Sequence, residues 1–85
     1  MITVKALGNI GKQLGNTVFK FDEASIPLST IINILYKLDE KKANYSTILS
    51  EIIITVNGVA ISKKIDEYVL TSEAEVTLIP ISHGG

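Results

Sequence analysis

The chain closes on Gly84-Gly85, and a strand-like run, Glu75-Val-Thr-Leu-Ile-Pro80, stops only a few residues earlier. A carboxylate carried on two residues without side chains can thread a narrow channel into another protein's active site, because glycine meets no Cβ clash in extended or left-handed backbone. The reactive group is then Gly85 itself, and a bulky residue at position 84 or 85 would block its delivery. Extended, Ser82 to Gly85 reach at most about 14 Å, the depth that a buried activation site demands. The competing reading is a frayed terminus, where small residues are common. A histidine at position 83 could assist at an active site, as the side chain type suited to proton transfer near neutral pH, but a lone histidine without an orienting partner is seldom catalytic. It reads as a recognition residue that extends the tail.

Other candidate chemistry is thinner. The acidic pairs Asp22-Glu23, Asp39-Glu40 and Asp66-Glu67 stand beside turn signals, and adjacent strand residues face opposite ways, so they read as solvated connections with no metal assigned. Gly11-Lys12 lacks the hydroxyl residue that a phosphate-binding loop needs next, since position 13 is Gln, and the expected upstream glycine is Ala6. Lys41-Lys42 and Lys63-Lys64 read as a solubilising surface whose amines could also accept a conjugate. Without cysteine there is no disulfide, thiolate nucleophile or thiolate metal site. The sequence itself assigns no catalytic residue and no bound cofactor.

With 85 residues the chain is one small domain, burying roughly 60 to 65% of its unfolded surface, which leaves little room for a deep cleft. Eight lysines, nine acidic residues and no arginine give a net charge of −1, with 6% aromatics. Direct nucleic-acid binding would call for a basic face, arginine and stacking aromatics, so it is not expected. The longest apolar stretch, Ile52 to Ile54, is far too short to span a bilayer. The start, Met1 to Gly8, is broken by polar residues, unlike a signal peptide. A soluble, monomeric, cytoplasmic protein is the expectation.

The elements that must position the tail follow from periodicity. Ile2, Val4 and Ala6 alternate with Thr3 and Lys5 as a half-buried strand. Gly8, Gly11, Gly15 and Asn16 then punctuate a loop before Val18 to Phe21 resumes strand composition, with Phe19 and Phe21 read as core. Leu28, Ile31, Ile32, Leu35 and Leu38 form the stripe of a helix on a core. Pro27 suits its first turn, and Ser29 is an alternative cap. A short helical turn is expected within Ala43 to Ser50. Ile52 to Val56 reads as a central strand, Asn57-Gly58 as a two-residue hairpin turn, and Val59 to Ile61 as the returning strand. In the last strand Val76 and Leu78 face one way, Thr77 and Ile79 the other.

The predicted order is β, β, α, β, β, β. A right-handed crossover would set the strand after the helix parallel to the first. The fold class is α+β: a β-grasp, or ubiquitin-like, mixed sheet of four to five strands on one main helix. Residues 1–81 form the domain and 82–85 a flexible tail.

These features, in order, resemble the ubiquitin-like sulfur carriers: a Met-Ile-x-Val start, a Gly-punctuated first loop, a Pro-led helix, Val56-Asn57-Gly58, Glu75-Val76, Pro80 and Gly84-Gly85. That family includes the small subunit of molybdopterin synthase, the thiamine-pathway carrier and the ubiquitin-related modifier, and His83-Gly84-Gly85 resembles the last in particular. Two positions depart from the pattern. The family's Asp-Gly turn before Glu-Val is replaced by Ser72-Glu73-Ala74, and Ile81 stands where a second proline often follows the first.

The resemblance implies that an E1-like adenylyltransferase, using ATP and magnesium, joins AMP to the Gly85 carboxylate, with Ser82, His83 and Gly84 threading its site. A sulfur donor then displaces AMP to leave a thiocarboxylate, which passes sulfur to a tRNA uridine or, with a molybdopterin synthase large subunit, to a molybdopterin precursor. Alternatively a lysine of a target protein takes the activated acyl group as an isopeptide. The chain would be a co-substrate rather than an enzyme. The family docks through an apolar patch on the open sheet face, where Leu7 and Ile79 occupy the corresponding positions, with Ala60 and Ile81 as neighbours. Against these stands a plain β-grasp interaction module with an incidental Gly-Gly end.

Overall fold

The structure, a computed structural model, describes residues 1–39, 41–61 and 65–81. The strongest alternation in the sequence becomes the middle of a five-stranded mixed sheet. Strand β1 (Ile2–Ala6) buries Ile2, Val4 and Ala6, and β7 (Glu75–Pro80) buries Val76 and Leu78 beside them. They run parallel, with Val4 opposite Val76 and Ala6 opposite Leu78. On the flanks, β2 (Val18–Phe21) pairs antiparallel with β1, β4 (Ile52–Val56) with β7, and β5 (Val59–Ile61) with β4.

The parallel partner of the first strand is therefore the last one, not the strand after the main helix. β4 is antiparallel to β7, and hence to β1. The expected crossover fails because the slot beside β1 goes to the strand whose Val76 and Leu78 are wholly buried, and periodicity carries no information about which neighbour fills that slot. β4 lies inside the sheet but one place from its edge.

Helix α2 (Leu28–Tyr36) lies on the inner face of this sheet and buries Leu28, Ile31, Ile32 and Asn33. Each fully buried aliphatic side chain stabilises the fold by about 1.5–3 kcal/mol. Pro27 stands just before the helix with extended backbone and no side-chain cap, and Ser29 lies inside the first turn, so it is not the cap. The helix stops before the apolar stripe does. Lys37 turns left-handed at φ 56°, and the N–H of Leu38 donates to the Asn33 carbonyl at 2.8 Å. This Schellman-type closure returns Leu38 to the core.

Between α2 and β4 the expected short helix is present as α3 (Tyr45–Leu49), capped by Asn44, whose side-chain oxygen accepts the Ser46 N–H at 3.0 Å. The Tyr45 hydroxyl donates to Asn33 Oδ1 at 3.0 Å, which gives the buried amide a partner and ties α3 to α2. Ile48 and Leu49 pack against the core as half-buried residues, as do Phe19 and Phe21.

Further elements depart from the predicted order. The glycine-punctuated loop contains a short helix, α1 (Asn9–Leu14), which buries Ile10 and Gly11. A Cβ at Gly11 would lie 3.0 Å from the Ala6 carbonyl and from Thr17 Cγ2, so glycine is what lets α1 pack this close. A second, two-stranded sheet joins β3 (Ser25–Pro27) to β6 (Val69–Thr71) and buries Ile26 and Leu70. The N–H of Leu28 donates to the Tyr68 carbonyl at 2.8 Å, which fixes where α2 begins. Among the described residues no helix is long and apolar enough to cross a membrane.

Candidate functional site: the outer sheet face and the root of the tail

The inner face of the sheet is covered by helices, and its outer face is defined by register. Thr3 and Lys5 of β1, Thr77 and Ile79 of β7, Ile53 and Thr55 of β4, and Ala60 of β5 alternate away from the core. None of these is buried.

Ile79 is half-buried and stands opposite Ile53 of β4. Leu7, just past β1, donates its N–H to the Leu78 carbonyl at 3.0 Å, which places it beside Ile79 in the parallel register. Leu7, Ile79 and Ile53 thus form one apolar row across three strands, at the end of the sheet where the chain leaves for its glycines. Leu7 is 44% and Ile53 42% exposed, which sets them apart from the core isoleucines on the opposite face. Ile53 was not singled out in the sequence, because the unbroken run of Ile52 to Ile54 hides which residue faces outward.

The other two predicted patch residues sit differently. Ala60 is exposed on β5, opposite Thr55, one row away from Ile79 and on the far side of β4 from Leu7. Half-buried Ile81 donates its N–H to the Glu51 carbonyl at 3.0 Å. Ala60 and Ile81 meet Ile53 in an open apolar groove of about 330 Å³, lined also by Leu49, Ile52, Ile54 and Ile61. The structure therefore joins Leu7 to Ile79, and Ala60 to Ile81, with Ile53 common to both groups.

Charge lies at the opposite end of the face. Lys5 Nζ and Glu75 Oε1 are 2.9 Å apart, diagonally across β1 and β7, and both side chains are about half exposed (48% and 54%). Such a pair contributes little to stability, but it gives the face an apolar end and a charged end. Tyr36 has its phenol pushed above the ordinary range by burial and, secondarily, by the charge of Glu51. It lines a separate open groove with Gln13, Leu14, Leu35 and Lys37, at the junction of α1 and α2.

Among the described residues there is no group of three or more His, Asp or Glu placed to hold a metal ion. Asp22, Glu23, Asp39, Asp66 and Glu67 are exposed, as are Lys41 and Lys42. Ser82, His83, Gly84 and Gly85 lie outside the described residues, as do Glu40, Lys63 and Lys64. The described path toward the tail ends at Ile81, directly after the central strand.

No protein-family model matches the chain, and no curated protein matches it. In fold it is similar to a chain in the solved structure described as the protein-protein complex of subunit 1 and 2 of molybdopterin-converting factor from Helicobacter pylori 26695. The TM-score is 0.60 at 19% sequence identity, covering 99% of this chain and 97% of that one. The likeness establishes a β-grasp fold over essentially the whole chain.

Proposed function

We propose that the chain is a ubiquitin-like carrier, acting as co-substrate rather than enzyme, whose Gly85 carboxylate is the reacting group. The observation that carries this reading is the placement of β7. The central strand of a β-grasp sheet ends at Pro80, and the sequence goes on through Ile81 to Ser82-His83-Gly84-Gly85. A rigid sheet is a precise base from which to deliver a tail. The fold likeness to a chain of the molybdopterin-converting factor complex supports the same reading.

In the proposed reaction the carboxylate oxygen attacks the α-phosphorus of ATP on an E1-like adenylyltransferase, releasing pyrophosphate and forming an acyl-adenylate. The ATP and magnesium belong to that enzyme. Oxide is too poor a leaving group for direct substitution, whereas AMP departs readily with its bonding electron pair. A sulfur nucleophile then attacks the acyl carbon, AMP leaves, and a thiocarboxylate remains at Gly85. From there the thiocarboxylate sulfur displaces a carbonyl oxygen of a tRNA uridine that the acceptor enzyme has activated with ATP, and hydrolysis returns Gly85 as a carboxylate, while a lysine amine attacking the adenylate instead releases AMP and gives an isopeptide with a target protein. The apolar row of Leu7, Ile79 and Ile53, extended by Ala60 and Ile81, serves as the docking surface for the activating enzyme. The cytoplasm is the proposed setting.

A second reading makes the chain the small subunit of a molybdopterin synthase, and it draws on the identity of the complex that contains the structural neighbour. The two part company on whether a synthase large subunit copurifies with the chain. The test of activation itself is ATP–pyrophosphate exchange with the adenylyltransferase of the source cells. Exchange that depends on the intact chain and vanishes on deletion of Gly84-Gly85 supports the carrier. Exchange independent of those glycines refutes it.

A further inference from the structure

The junction between β1 and β7 ends abruptly, and two residues on opposite strands end it. The Leu7 N–H donates to the Leu78 carbonyl at 3.0 Å. In a regular parallel ladder the next bond would run from the N–H of residue 80 back to the Leu7 carbonyl. Residue 80 is proline and has no N–H to give. The Leu7 carbonyl is taken instead by the Ile10 N–H at 3.1 Å, the bond that turns the chain into α1.

Gly8 makes this turn possible. Its backbone, at φ 55° and ψ −133°, lies where side-chain-bearing residues are strained. A Cβ at this position would stand 3.3 Å from Pro80 Cγ, so the proline ring occupies the space that glycine leaves open. On the other side of β7 the Ile81 N–H is held by the Glu51 carbonyl at 3.0 Å. Pro80 and Ile81 are thus gripped from both neighbouring strands at the last described step before the tail.

Resting on the carrier reading above, we infer that Gly8 and Pro80 are positioning residues for the C-terminal carboxylate: the Gly8 turn and the proline without an N–H together end the β1–β7 ladder after the Leu7–Leu78 bond and set the direction in which the chain leaves the sheet at Ile81. Neither residue touches the reacting atoms. A side chain at position 8 pushes Pro80 by a few tenths of an ångström and so shifts the chain at Ile81. Displacements of this size far from the chemistry lower the rate of the bound complex more than they weaken its formation. The docking row is a separate determinant, acting through affinity.

The test compares Gly8→Ala with Gly15→Ala in the full chain. Gly15 also has a positive φ, 87°, in the milder αL region, and nothing lies within 4 Å of a Cβ placed there, so it controls for positive-φ strain without a Pro80 neighbour. Amide hydrogen exchange, which needs no enzyme, is expected to show protection at Ile81 falling about tenfold in Gly8→Ala while holding in Gly15→Ala. In the pyrophosphate-exchange assay kcat is expected to fall about tenfold with KM within about twofold for Gly8→Ala, and to stay near wild type for Gly15→Ala. Adding Pro80→Ala to Gly8→Ala opens the contact and is expected to recover part of kcat.

Unchanged Ile81 protection in a folded Gly8→Ala protein overturns the inference, as does an equal loss in Gly15→Ala. If Gly8→Ala does not fold, Pro80→Ala alone takes its place. It restores an N–H opposite the Leu7 carbonyl, and the residue-80 amide is expected to be protected. A fully exchanging amide there refutes the ladder argument. Wild-type protein that supports no exchange refutes the carrier reading, while the Ile81 measurement still decides the positioning.

Discussion

Asn57 and Glu75 are joined by two hydrogen bonds at the start of the central strand. The Asn57 N–H donates to the Glu75 carbonyl at 2.8 Å, and the Asn57 side-chain oxygen accepts the Glu75 N–H at 2.9 Å. One step along the ladder Val56 pairs with Val76, so the hairpin turn locks the register of β7. Asn57 itself is left-handed at φ 51°, a conformation asparagine tolerates better than most residues. Asn57→Gly keeps the backbone and removes only the side-chain bond, and is expected to destabilise the fold by about 1 kcal/mol in urea unfolding. Asn57→Ala adds left-handed strain and is expected to cost about 1 kcal/mol more. Equal stability of the two variants would count against this division.

The turn before β7 is less well matched to its residue. Glu73 adopts φ 69° without the glycine that such a backbone favours. Its carboxylate lies 3.1 Å from the N-terminal ammonium, but that side chain is 83% exposed and the pair is screened. Glu73→Gly and Glu73→Ala both lose the pair, and only the first relieves the backbone. Thermal denaturation is expected to rank Gly above Ala by about 1 kcal/mol. The reverse order would show that the turn is not strained.

The sequence disclosed the elements with strong periodicity and little else about their neighbours. β1 and β7 were legible because buried and solvent-facing residues alternate along them, and α2 because its stripe repeats at helical spacing. α1 was hidden by Gly8, Gly11 and Gly15, which read as loop although Gly11 is there to permit close packing. β3 and β6 are too short to show a period. The direction of β4 relative to β1 depends on which strand occupies the middle of the sheet, a long-range competition with no local signature. In the candidate site Leu7 and Ile79 follow from the family resemblance, with alternation along β7 supporting Ile79, whereas Ile53 was masked by isoleucine on both sides and Gly8 looked like ordinary loop punctuation.

Above its ordinary range the phenol of Tyr36 ties stability to pH. Burial, aided by Glu51, raises its folded-state pKa, so below the ordinary tyrosine value of about 10 both states are neutral and stability is unaffected. As pH rises past that value the unfolded chain releases its proton first, and stability falls until the folded phenol also ionises. Urea unfolding at increasing alkaline pH is expected to fall more steeply for wild type than for Tyr36→Phe. Parallel curves would contradict the assignment.

The outer apolar row predicts a separation of binding from folding. Ile53 is 42% exposed, so Ile53→Lys is expected to change stability by less than about 1 kcal/mol. If the row docks the activating enzyme, the same change should raise KM in pyrophosphate exchange by at least about tenfold, with kcat little altered. Ala60 lies a row away, and Ala60→Ser is expected to have a smaller effect. An unaltered KM for Ile53→Lys would remove Ile53 from the docking surface.

The central claim is that Gly85 is chemically activated, and intact-mass measurement of protein from its native cells, without reducing or alkylating treatment, reads this directly. The expected result is a species heavier by the difference between sulfur and oxygen at the terminus, or high-mass conjugates, either of which disappears when Gly84-Gly85 is deleted. An unmodified terminus in a protein that also fails to react with ATP and the cell's adenylating enzyme would contradict it, leaving a β-grasp interaction module.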